Sequence, residues 1–358
     1  MENKILELAR KLISIPSTKG ETANLTKVLE IARRELAGFA CREFESNGIP
    51  SLLFFNREEL PKKFMVILDG HLDVVPGNPE QFKPTVTGNK LFGRGAYDMK
   101  SAAAAEILVF KELASKVRYP LGLQLVTDEE TGGFNGAKYQ ASRGVRTECM
   151  IAGESSSDLT MSIQAKGVIG MKIEFTGMTG HAAYPWEGRN AIRDLNLFLS
   201  KLWKQYPIPA KKVWKTTVNA AIVGTTNLTS NKIPGDAMCR LDIRYLPGEG
   251  DKTINKIKSW LPENATVEIP EHEPARNTPE NDKYVQRFLK TAKKSLNRTV
   301  PIIGKNGASD VRHYPDAAGV EFGPVGAGPH ADNEWVDIKS LQTFSKILKD
   351  FLLSFPEK

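Results

Sequence analysis

The chain has 358 residues, 41% apolar and 25% charged, with a formal net charge of +7. That length favours two domains over one core, and the composition is that of a soluble globular protein. Apolar runs far shorter than ~18 residues exclude a membrane span. The basic residues are scattered along the chain, as in Lys201, Lys204, Lys211, Lys212 and Lys215. A solvated surface is expected and no nucleic-acid partner, with a mild field that suits anionic small substrates. Cys41, Cys149 and Cys239 are few, far apart and form no CxxC, so a reducing, cytoplasmic setting is expected and Cys149 reads as core. The first ten residues form an amphipathic helix carrying Glu2 and Glu7 rather than a signal peptide.

In chain order, strands are predicted over 64–69, 121–127 and 149–152. Helices are predicted over 99–116, with Asp98 at the cap position, and over 137–143. From residue 168 the pattern changes. A strand over 168–175 precedes a helix over 190–206 whose apolar face carries Ile192, Leu195, Leu199 and Leu202. Strands at 217–223 and 237–245, a helix at 252–261 and a strand at 266–269 complete a β-α-β-β-α-β order, a ferredoxin-like α+β unit. A helix over 284–296, a Gly-rich region and a last helix over 337–355 return to the first unit. The expected architecture is a discontinuous α/β catalytic domain, residues 1–166 and 273–358, with an inserted domain at 167–272.

The three early strands each end in residues suited to a cation. Ligands of open α/β sheets bind at the carboxyl ends of strands, and His and carboxylates gathered there would repel or stay unpaired without a cation. His71 and Asp73 stand two apart on one side of an extended segment, where a carboxylate can fix the tautomer of a metal-bound His; a hydrogen-bonded surface His is the plain alternative. Asp98 follows Gly93-Arg94-Gly95 and reads either as a helix cap or as a carboxylate bridging two cations. Asp128, Glu129 and Glu130 form an acidic run in which one acid can bind metal while its neighbour acts as a base; an exposed turn is the alternative. Glu154 ends the third strand, and His330 lies in a Gly-rich loop. His272 and His313 read as surface or packing residues.

In order along the chain stand Gly70-His71-Leu72-Asp73-Val74-Val75-Pro76, the segment from Gly93 to Lys100, Thr127-Asp128-Glu129-Glu130-Thr131-Gly132-Gly133, Gly153-Glu154-Ser155, Gly180-His181-Ala182-Ala183-Tyr184-Pro185, and His330 with Asn333-Glu334. Together they resemble the M20 metallopeptidase family over essentially the whole chain. The resemblance implies a zinc-peptidase-like catalytic domain with a mixed central sheet flanked by helices, and a lid/dimerisation domain. It implies two zinc ions, with cobalt or manganese also suited to the same ligands. His71 and Glu154 would hold one ion, Glu130 and His330 the other, and Asp98 would bridge them. Glu129 would be the general base toward a metal-bridging water, and Asp73 would orient His71. A cis peptide at Asp98-Met99 is implied too.

In the lid, His181 would stabilise the developing oxyanion, reaching across from the partner subunit in dimeric members. Asn231 and Arg244 resemble segments that grip a substrate carboxylate; a surface ion pair of Arg244 with Asp242 is the plain alternative. Ser309 lies in a segment like the family's substrate loop, and Lys166 in a hinge-like basic-Gly pair. The expected activity is hydrolysis of the amide of an N-acyl amino acid, as in desuccinylases and deacetylases. A dipeptidase or carboxypeptidase with the same metal centre is the alternative. The expected partners are an N-acyl amino acid or short peptide and a second copy of the chain through the lid, with no nucleic acid and no membrane.

Overall fold

The computed structural model describes residues 2–154 and 158–356. The chain divides into two compact units: residues 1–163, 278–303 and 309–358 form the first, and 164–277 with 304–308 form the second. The first unit opens with α1 (Glu2–Ile13), α2 (Thr22–Glu35), the hairpin β1 (Ala40–Ser46) and β2 (Ile49–Phe55), and β3 (Phe64–His71). Next come α3 (Lys100–Leu113), β4 (Leu121–Val126), α4 (Ala137–Ser142) and β5 (Thr147–Ala152), and β6 (Met161–Ala165) carries the chain over the boundary. The second unit holds β7 (Gly167–Thr176), α5 (Ala191–Gln205), β8 (Thr217–Gly224), β9 (Asp236–Tyr245), α6 (Gly250–Lys258) and β10 (Ala265–Glu273). Helix α7 (Lys283–Leu296), β11 (Ala318–Glu321) and α8 (Ile338–Leu353) complete the first.

The main sheet runs β1-β2-β4-β3-β5-β11-β6. Its centre, β4-β3-β5-β11, is parallel, while the β1-β2 hairpin and β6 are antiparallel to their neighbours. The parallel strands are apolar and buried almost throughout because helices cover both faces. Alternation divides their side chains: Val66, Leu68, Leu123 and Ile151 face the core of α1, α3 and α8, whereas Ile67, Val126 and Met150 face the core of α4. Helix α3 is buried along nearly its whole length. Its Ala-rich first half lets it lie close to β3 while Phe110 fills the far end, and burying a side chain of that size contributes about 1.5–3 kcal/mol.

In the second unit the sheet order is β8-β9-β7-β10, all antiparallel, the ferredoxin-like arrangement. Leu195, Phe198 and Leu202 of α5 and Ile254 and Ile257 of α6 pack on its apolar face. Gly304 lies so close to Trp214 that a Cβ would come within 2.5 Å of the indole, so this return segment accepts only glycine there. Among the described residues, no helix is long and apolar enough to cross a membrane.

Candidate metal centre

Register brings the predicted residues to one sheet edge. His71 at the end of β3 pairs with Val126 of β4, and Asp69 pairs with Ala152 of β5. The segments that follow, 71–73, 128–130 and 153–154, therefore leave the sheet side by side. Asp98 reaches the same edge from the glycine-rich loop before α3, and His330 from the loop before α8. Ser155 and Ser156 lie outside the described residues.

Two donor groups result. One is His71, Asp98 and Glu154; the other is Asp98, Glu130 and His330, and within each group the donor atoms lie within 4.8 Å of one another. Asp98 belongs to both. Its Oδ1 is 3.1 Å from His71 Nε2 and its Oδ2 is 3.7 Å from His330 Nε2, which is also 3.0 Å from Glu130 Oε2. One carboxylate thus faces a different imidazole with each oxygen. Helix α3 begins at Lys100 with Met99 at its cap and no side-chain cap, so Asp98 is not the helix cap that its position suggested. The Asp98-Met99 peptide bond is cis, as the resemblance implies.

Asp73 does more than attend His71. The Nδ1 of His71 lies 3.1 Å from the main-chain oxygen of Asp73 and 3.5 Å from its carboxylate. Either acceptor fixes a proton on Nδ1 and leaves Nε2 free for a cation. The carboxylate itself accepts from the main-chain N–H of Glu129 at 3.2 Å and of Glu130 at 3.0 Å. It therefore holds both acids at their sheet edge. From the other side the Gly132 carbonyl accepts from Arg312 at 2.7 Å and lies 3.0 Å from His313 Nε2. Gly133, at φ +64°, sits where a Cβ would collide with the Asp310 carboxylate.

The electrostatics are those of a site that wants positive charge. Burial, together with Glu154, Asp310 and Asp98, holds Glu129 well above the usual carboxylate range, against the pull of His71. Burial and Asp98 push Glu130 up to about 8. Burial alone would lower His71, but hydrogen bonds to Asp73 and Asp98 raise it well above 6.5. Beneath the edge, Gln124 donates to Asp69 at 2.6 Å and accepts from Tyr314 at 2.5 Å. Burial pushes Asp69 up to about 7, and burial with Asp69 holds Glu106 higher than its ordinary value. Divalent cations reverse this logic by stabilising the ionised acids. The donors are imidazole and carboxylate, and the groups share a bridging acid, so the residues present fit two such ions.

The remaining predicted residues are placed differently. Ser309, in the first unit, is buried and donates its hydroxyl to Glu321 at 2.5 Å. Lys166, Asn231, Arg244 and His181 belong to the second unit. Lys166 is buried, and burial and Arg244 lower its pKa. The fork of Arg244 is engaged by Asp242 at 2.7 and 2.8 Å, and Asn231 is exposed and pairs through its main-chain oxygen with Ala182. His181 is exposed, bridges to Lys232 and accepts from Ala183 N–H at 3.1 Å.

Sequence reasoning missed several contributors. His313 reads from the sequence as a surface or packing residue, yet it grips the loop after the acidic run, and burial lowers its pKa to about 3, so it is neutral. Glu106 carries one signal, an acid inside the apolar run from Ala102 to Phe110 of α3. Arg94 and Glu334 stood inside quoted motifs with no role attached.

Residues 67–354 match the family described as Peptidase family M20/M25/M40. Succinyl-diaminopimelate desuccinylase of Stenotrophomonas maltophilia is 27% identical, covering 94% of this chain and 95% of its own. The enzyme of that name from Pelagibacter ubique is 28% identical, covering 98% of each. Among solved structures, aminopeptidase PepT of Bacillus cereus superposes with a TM-score of 0.80 at 16% identity, covering 98% of each chain. An M20 family metallo-carboxypeptidase of Sulfolobus solfataricus gives 0.74 at 19%, again covering 98% of each. The fold is the one these structures share. The chain belongs to peptidase family M20/M25/M40, the metallohydrolases that act on amide and peptide C–N bonds.

Proposed function

We propose that the chain is a two-zinc amidohydrolase that removes the acyl group from an N-acyl amino acid of the succinyl or acetyl type. The observation that carries the reading is the shared carboxylate of Asp98, with one imidazole facing each of its oxygens and the half-buried Glu129 beside the group. The names of the near-full-length relatives support the choice of a deacylase over a peptidase. His71 and Glu154 would hold one ion, Glu130 and His330 the other, and Asp98 both. When bound, zinc polarises the scissile carbonyl and lowers the pKa of the attacking water to ~7.

The chain's own residues then move the proton. Glu129 takes it from the water as the water oxygen bonds to the amide carbon, and delivers it to the amide nitrogen as the C–N bond breaks. The products are the free carboxylic acid, ionised at neutral pH, and the amino acid. Asp73 keeps Glu129 in place through its main-chain N–H. The motif around His181 supports a role for its imidazole as a donor to the developing oxyanion.

The test is a panel assay with metal-loaded protein and a chelated control: N-succinyl-diaminopimelate, N-acetylornithine, N-acetylmethionine, an acylglutamate and several dipeptides. Chelator-sensitive cleavage of an acyl amino acid is the expected result. Cleavage confined to dipeptides would replace the deacylase reading with the peptidase one.

A further inference from the structure

Two loops that carry candidate ligands are joined by one buried ion pair. Residues 93–98 lead to Asp98, and residues 330–334 begin at His330. Arg94 and Glu334 are both buried, with Nη1 and Oε2 2.7 Å apart. Glu334 Oε2 also accepts from the Gly95 N–H at 3.0 Å, and its Oε1 accepts from Tyr97 at 2.9 Å and Asp98 at 3.0 Å. Those four bonds use the usual acceptor capacity of a carboxylate, so Glu334 is a buried acid beside the site with nothing left for a cation. Arg94 reaches the other way: Nη2 donates to the His330 carbonyl and Nη1 to the Ala331 carbonyl, each at 3.2 Å. The main chains are tied as well, through Gly93 N–H to the Glu334 carbonyl at 3.2 Å and the pairing of Phe92 with Trp335. His330 itself holds φ +63°, a left-handed conformation uncommon outside glycine, although histidine is among the residues that enter it more readily.

We propose that Arg94 and Glu334 are positioning residues that set the separation between Asp98 and His330, and with it the strength with which those two side chains hold a shared cation. The inference rests on the two-metal reading above. The geometry is specific to the guanidinium. Its planar fork meets a carboxylate and three carbonyls, those of His330 and Ala331 and, at 3.5 Å, that of Pro76, whereas a lysine ammonium carries the same charge on a single atom. The main-chain N–H groups of Tyr97 and Asp98 meet a carboxylate whose direction is fixed by that fork, so the Asp98 side chain inherits its aim from Glu334. Residues that support metal ligands in this way are typically worth 10–100-fold in metal affinity.

The experiment is a cobalt(II) titration of metal-free protein, read by visible absorption and by bound-metal analysis. It compares wild type with Arg94→Lys and Glu334→Gln. Each variant is expected to bind its second cobalt ~10–100-fold more weakly than wild type, with an altered absorption band. Glu334→Gln leaves a buried arginine without its countercharge, so circular dichroism checks its fold, and Arg94→Lys, which keeps the charge, carries the test if Glu334→Gln does not fold. A folded Arg94→Lys protein with two cobalt ions at wild-type affinity and a wild-type spectrum would overturn the proposal. Loss of fold in both variants would overturn it in favour of a purely structural pair. Wild-type protein that binds no cobalt would sink the two-metal reading itself, and this inference with it.

Discussion

Replacing Asp73 with asparagine isolates the contribution of one carboxylate to two neighbouring acids. In the structure Asp73 is 3% exposed and accepts from two successive main-chain N–H groups, those of Glu129 and Glu130. Asparagine offers a single acceptor oxygen, and its amide nitrogen would face the other N–H, donor against donor. One charge-assisted hydrogen bond is lost, worth about 1.5–3 kcal/mol. Placed wholly on the positioning of Glu129, that loss lowers kcat/KM by ~10- to ~150-fold. His71 should be affected less, because its Nδ1 lies nearer the main-chain oxygen of residue 73, which the substitution leaves in place. The assay is kcat/KM at saturating metal on the preferred panel substrate, alongside cobalt affinity. A variant within about three-fold of wild type in kcat/KM, under ~0.7 kcal/mol, would refute the claim that Asp73 fixes the base.

Three further outcomes are expected. Glu129→Gln should retain two metal ions while turnover falls at least ~10²-fold; near-normal turnover would remove Glu129 from the mechanism. His181→Ala should lower kcat by ~10²–10³-fold, the scale of a lost oxyanion donor, with metal content unchanged; an unchanged kcat would make that imidazole a bystander. His313 is neutral in the fold, its pKa held at about 3 against an ordinary 6.5. The unfolded chain takes up a proton near 6.5, so the contribution of His313 is complete above that pH and is lost as pH falls toward 3. Between pH 6.5 and 5 the loss is about 2 kcal/mol. Thermal melting of metal-free protein should therefore show a shallower pH dependence in His313→Gln than in wild type, and equal slopes would contradict the assignment.

The parts of the fold that were legible are those whose partners lie close in sequence or whose pattern is strong. The apolar parallel strands ending in His71, Val126 and Ala152 announce themselves by composition, and the ferredoxin-like order by alternating periodicities. The β1-β2 hairpin was not singled out, because Ala40–Ser46 buries only Phe44 and depends on its partner strand for order. The short strands at 85–87, 90–92, 326–327 and 335–337 were equally hidden, since each exists only through its pairing, one of them across more than 200 residues. The same holds at the site. His71 and His330 are polar residues in apolar or glycine-rich surroundings, and Glu130 stands in an acidic run at a strand end, all local signals. The double duty of Asp73 and the Arg94–Glu334 pair arise only when distant loops meet, and Asp98 resembled a cap because acids before helices usually are caps.

The central claim is most directly tested by titrating zinc into metal-free protein and measuring bound metal and hydrolysis of the preferred N-acyl amino acid in the same samples. Activity should track zinc up to two equivalents per chain and disappear on chelation. Full hydrolysis in the chelated sample, or no binding beyond a single equivalent, would contradict the two-metal account.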